Sequence, residues 1–158
     1  MHKSTVRELF RISIKAEGEA RSLYAGLAER FSAIPEARDF FSSMASDEEN
    51  HILGLESLLR SLPADELERP APEHALALVE GFMNYSADSI NKEIKTLGDA
   101  YMKTVNLEFS EINKLHEFLF RLNLKDDKAL NELQSVLRSH LDKASAFRTS
   151  GADMDHIA

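Results

Sequence analysis

Glu48 and His51 stand three residues apart inside an apolar run from Phe40 to Leu59. In a helix that spacing puts both side chains on one face, about 60° apart and separated by roughly one turn of rise. The inward stripe reads Ala37, Phe41, Met44, Glu48, His51, Leu55, Leu58 at helical period. A carboxylate and an imidazole therefore replace apolar side chains where the core belongs. An unpaired charge buried there costs several kcal/mol, so both groups require a partner. A metal ion is the partner that uses both at once. A lone Glu-x-x-His pair is common by chance, and its weight depends on inward carboxylates elsewhere.

Such carboxylates recur. A first stripe, Phe10, Ile14, Glu17, Ala20, Tyr24, Leu27, Phe31, is interrupted by Glu17, and Tyr24 follows seven residues later on the same face. A third stripe, Tyr101, Val105, Glu108, Ile112, Leu115, Phe118, Leu122, carries Glu108, with Glu111 three residues on. A fourth, Leu130, Leu133, Leu137, His140, Ala144, Phe147, carries His140. Each residue also has a plainer reading. Glu17 is placed to pair with Arg21 on a helix rim, Glu111 to face solvent. Tyr24 fits ordinary core packing with a bonded hydroxyl, and His140 a core histidine without a metal.

These residues need four long helices to bring them together. Thr5-Val6-Arg7-Glu8 is a capping box that opens the first helix. Pro35 suits the first turn of the second. Three of the four prolines lie between residues 61 and 72, which marks a surface connection. Glu73 to about Tyr85 reads as a short amphipathic helix, and Ser86 to Lys95 as either helical or irregular. Thr96-Leu97-Gly98-Asp99 echoes the capping box with Asp in place of Glu. The pattern predicts helices over about 5–32, 35–60, 96–122 and 126–148, a crossover over 61–95, and a flexible tail over 151–158.

The two halves repeat weakly. Thr5 to Glu17 and Thr96 to Glu108 each span 12 residues, and His51 falls on His140 at an offset of 89. The predicted fold is all-α: a single four-helix bundle over 1–150 with one long crossover containing a short extra helix.

Composition sets the outer bounds. The chain has 158 residues, enough for a sizeable core in one domain. Nineteen Lys and Arg against 27 Asp and Glu give a net charge of -8, which argues against nucleic-acid partners. No run approaches a membrane span, and the start lacks the apolar centre of a signal peptide, so a cytoplasmic address is the default expectation. Zero cysteines exclude a disulfide, a thiolate nucleophile and a cysteine-bound iron or zinc site in this chain.

On these residues the chain resembles ferritin-like proteins of the rubrerythrin type along nearly its whole length. The resemblance implies a di-iron centre, with manganese or zinc possible, held by Glu17, Glu48, His51, Glu108, Glu111 and His140, with Tyr24 beside it as a hydrogen-bonding or redox residue. It also implies reaction with peroxide or dioxygen, oxidation of ferrous iron, a separate electron-donor protein and assembly as a homodimer or larger homo-oligomer. The chain departs from the family pattern at Leu137, which stands where the second Glu-x-x-His motif has its glutamate. The resulting expectation is one well-formed metal position, near His51, and a weaker second. The alternative is a degenerate metal-binding or assembly module holding one metal or none, with no turnover.

Overall fold

The computed structural model describes residues 4–83, 86–122 and 127–150. Four long helices form the bundle: α1 (Val6–Arg30), α2 (Pro35–Ser61), α6 (Leu97–Leu122) and α7 (Asp127–Ser150). The crossover holds three short ones, α3 (Ala64–Glu68), α4 (Glu73–Met83) and α5 (Ala87–Glu93). α4 is the extra helix expected there, and α5 shows the stretch from Ser86, open between helical and irregular, to be helical at its start, where the Ser86 hydroxyl accepts from the Ser89 amide. The additional helix is α3, a single short stretch started by Pro63. The expected tail over 151–158 lies outside the described residues.

Local signals start the helices. At α1 the Thr5 hydroxyl accepts from the Glu8 amide, and Glu8 accepts from the Thr5 amide at 2.8 Å. At α6 the Asp variant works the same way: Asp99 N–H donates to the Thr96 hydroxyl and the Thr96 amide to Asp99 Oδ2. Each pairing satisfies donors that a helix start leaves orphaned.

The crossover carries the chain back along α1 before α6 begins. Its beginning is pinned to the start of α1, where Val6 N–H donates to Arg69 and Ala71 N–H to Ser4. It then climbs along α1, with the Ala87 amide donating to Glu19 and Arg30 to the Ile94 carbonyl. Consequently α6 starts at the end where α1 finishes and runs antiparallel to α1, parallel to α2. On the way, α4 packs against both α1 and α6. α7 returns antiparallel to α2. Gly54 lets these two approach closely, since a Cβ there would sit 2.8 Å from Leu133 Cδ1.

The interior has three layers. At one end Val6, Leu9, Phe10, Leu55, Leu58, Phe118, Leu133 and Leu137 belong to one apolar cluster. At the other end Ala20, Tyr24, Leu27, Phe41, Met44 and Tyr101 belong to a second. Between them lie the buried polar residues Ser13, Glu17, Glu48, His51, Thr104, Glu108 and His140. Apolar burial in the two clusters supplies the stability that tolerates a polar slab in the middle. Among the described residues no helix is long and apolar enough to cross a membrane.

Candidate metal centre

Each bundle helix contributes to the polar layer. Glu17 comes from α1, Glu48 and His51 from α2, Glu108 from α6 and His140 from α7, all at most 3% exposed. Three carboxylates and two imidazoles thus share a volume closed to water on both sides by hydrocarbon. The arrangement is built on rigid helix interiors rather than loops, which holds donor atoms in place.

The geometry centres on Glu48. Its Oε2 lies 3.0 Å from His51 Nδ1, and Glu17 Oε2 approaches the same nitrogen at 3.3 Å. Its other oxygen, Oε1, lies 3.2 Å from His140 Nε2. Glu108 Oε2 also meets His140 Nε2. The two imidazoles stand edge to face with centroids 4.7 Å apart. Two sets of donors result, Glu17 with Glu48 and His51, and Glu48 with Glu108 and His140. One carboxylate is common to both.

Tyr24 reaches the layer from the apolar cluster beside it. Its hydroxyl donates to Glu108 Oε1, the oxygen turned away from His140. The plainer reading of Tyr24, a core ring with a bonded hydroxyl, and the chemical one therefore meet at the same atom. Glu17 does not pair with Arg21, whose partner is Glu49 on α2. Glu111 lies on α6, but its side chain is outside the described residues. Leu137 is fully buried in the apolar cluster one turn before His140 and brings no donor.

Sequence reasoning passed over Asp47. It directly precedes Glu48, so it lies off the inward stripe and faces α7 instead. There Asp47 Oδ2 lies 3.0 Å from His140 Nδ1 and also accepts from Lys143, which donates in turn to Ser43 at 2.8 Å. The available signal was a cation three residues after His140, on the same edge of α7.

Electrostatics register the crowding of acids. Burial, then the nearby Glu48 charge, pushes the Glu17 carboxyl well above its usual range. Burial also raises Glu48, with Glu108 adding repulsion. For His140, burial opposes the charged ring, but Asp47, Glu108 and Glu48 outweigh it and push the pKa up to about 12. Without a metal, His140 is itself the cation that the carboxylates surround.

Two atoms test whether a metal fits. Among the described residues, His51 Nε2 and Glu48 Oε1 are buried without a hydrogen-bond partner, although Glu48 Oε1 is within ion-pair distance of His140. Buried polar atoms are normally satisfied, and orphaned ones call for a ligand, ion or water. Glu48, His51 and His140 each offer a ligand atom within 4.8 Å of the others. Mixed carboxylate and imidazole donors suit iron, manganese or zinc. The residues fit a metal site.

The comparison with protein families decides the lineage. The rubrerythrin family matches over residues 8–128. This chain belongs to the rubrerythrin family. The matched stretch runs from α1 to the first turn of α7 and includes Glu17, Glu48, His51 and Glu108. Leu137 and His140 lie beyond it, on the part of α7 that the match does not reach. Among curated proteins and among solved structures, nothing matches this rubrerythrin-family chain.

Proposed function

We propose that this protein is a rubrerythrin-like non-haem iron oxidoreductase that reduces peroxide or dioxygen, and that oxidation of ferrous iron belongs to the same chemistry. The observation carrying the proposal is the position of Glu48, whose two oxygens address two different imidazoles within a layer closed to bulk water. Carboxylates with this disposition hold a pair of ions in the bundle proteins of this class. When bound, the metal supplies the electrons for the oxidant and accepts them back from a donor.

The protein's own residues have separable tasks. Glu17, Glu48 and His51 would hold one ion, and Glu48, Glu108 and His140 a second. His140 must release its Nε2 proton to become a ligand, while the Nδ1 proton stays with Asp47. Tyr24 fixes the rotation of the Glu108 carboxylate by donating to Oε1. The apolar clusters above and below exclude water, which strengthens every charge interaction inside the layer. The electrons would come from a separate donor protein.

The test is metal content per chain after anaerobic iron loading, followed by peroxide consumption. Bound iron with turnover, both lost in Glu48→Ala, is the expected result. Wild-type protein that takes up no metal overturns the proposal.

A second reading is favoured by one specific observation, the apolar burial of Leu137. A chain with that substitution could retain a single structural ion without turnover. It predicts stability that falls on chelation and no peroxide consumption.

A further inference from the structure

His140 has a carboxylate partner on each ring nitrogen, Asp47 half-buried and Glu108 and Glu48 buried, whereas among the described residues His51 has partners on Nδ1 alone. His140 Nδ1 faces Asp47 and its Nε2 faces Glu108 and Glu48. His51 Nδ1 faces Glu17 and Glu48, whereas its Nε2 is buried without a partner among the described residues. The better-supported imidazole therefore belongs to the motif that has lost its glutamate.

We propose that Asp47, braced by Lys143, is a positioning residue of the metal centre that holds His140 with Nε2 turned into the polar layer, and so supports the metal position that Leu137 deprives of a ligand. This rests on the metal-centre reading above. The elements involved make the restraint effective. Asp47 is adjacent in sequence to Glu48, so α2 contributes both a shared carboxylate to the site and the outer support for the opposite imidazole. Lys143 lies three residues after His140 on α7 and grips the same Asp47 oxygen, Oδ2. Its second donation, to Ser43, anchors the lysine to α2 one turn before Asp47. The pair therefore spans the α2–α7 seam at the height of the site.

The physical effect is on ring orientation and on which nitrogen keeps its proton. An imidazole free to flip offers either nitrogen to a metal. One whose Nδ1–H is committed to a carboxylate offers Nε2 alone, with greater basicity. Asp47 is less buried than the ligands, 19% exposed in its side chain against 1% for His140, and Lys143 is 37% exposed. The support thus lies at the outer edge of the layer, where it costs less to desolvate than another acid inside.

Zinc serves as the probe, because it is silent in redox and permits nuclear magnetic resonance. In zinc-loaded wild type, two ions per chain are expected, with His140 bound through Nε2 and its proton on Nδ1. Asp47→Ala is expected to weaken only the second zinc, by about 10- to 100-fold, the usual loss for such an outer partner. The His140 nitrogen shifts should then show mixed tautomers while those of His51 stay unchanged. Asp47→Asn, which can still accept from Nδ1–H, should retain the wild-type tautomer, and Lys143→Met should weaken the second zinc less than Asp47→Ala. Circular dichroism melts of each variant identify any that fail to fold, and for those Lys143→Met carries the test.

Equal zinc affinities in wild type and Asp47→Ala, or His140 bound through Nδ1, would overturn the positioning role while leaving the metal centre intact. Wild type that binds no zinc and no iron overturns the underlying reading instead.

Discussion

Glu48 lies between His51 and His140, with one carboxylate oxygen 3.0 Å from the first imidazole and the other 3.2 Å from the second. Both halves of the layer therefore depend on it. Glu48→Gln replaces one oxygen with an NH2 donor, which cannot ligate. Iron binding should fall at both positions, whereas Glu17→Gln should weaken only the one beside His51. Isothermal titration of the two variants with ferrous iron distinguishes these results. Equal losses in both would contradict the shared role of Glu48.

Tyr24 provides a second prediction. Tyr24→Phe removes the hydrogen bond to Glu108 Oε1 and leaves that buried oxygen without its donor. Unsatisfied buried acceptors cost about 1–3 kcal/mol, and the metal-free protein should lose stability on that scale. Urea unfolding of the metal-free variant measures it.

Leu137→Glu would rebuild the second Glu-x-x-His motif. In the metal-free protein a carboxylate there enters an apolar cluster, so stability should fall by at least about 2 kcal/mol. Loading with zinc should recover the loss and raise the melting temperature by more than it does in wild type. A variant equally unstable with and without metal would show that position 137 does not point a donor at the site.

The metal-free protein should also respond to pH in an uncommon direction. Glu17, Glu48 and His140 all hold protons more tightly when folded than their usual values allow, His140 up to about 12 against 6.5. Above pH 5 the folded chain thus binds more protons than the unfolded one, and stability falls as pH rises. Asp47 shifts downward, and its opposite contribution is confined to more acidic solution. Melting temperatures of chelated protein should decline from about pH 5 upward, since Glu17 and Glu48 shift up from 4.5 and His140 from 6.5 to about 12. Metal affinity should rise over the same window, because the ion displaces those protons. A chelated protein that grows more stable across it would contradict this proton inventory.

What the sequence determined alone was the four long helices and which face of each turns inward. Period-3.6 stripes broken at Glu17, Glu48, His51, Glu108 and His140 carry that information locally, as do the boxes at Thr5 and Thr96. A polar residue on an apolar stripe is visible without knowing what it meets. What only the tertiary structure decided was the pairing of atoms across helices. Nothing in the chain order shows that Glu48 divides its oxygens between two imidazoles, that Tyr24 meets Glu108, or that Asp47 crosses to His140. Asp47 sits about 100° round the helix from Glu48, off the stripe. Its partner is set by the α2–α7 approach, which depends on Gly54 and Leu133. Side-chain periodicity reports burial, whereas ligand geometry depends on how far each helix is shifted and rotated against its neighbours.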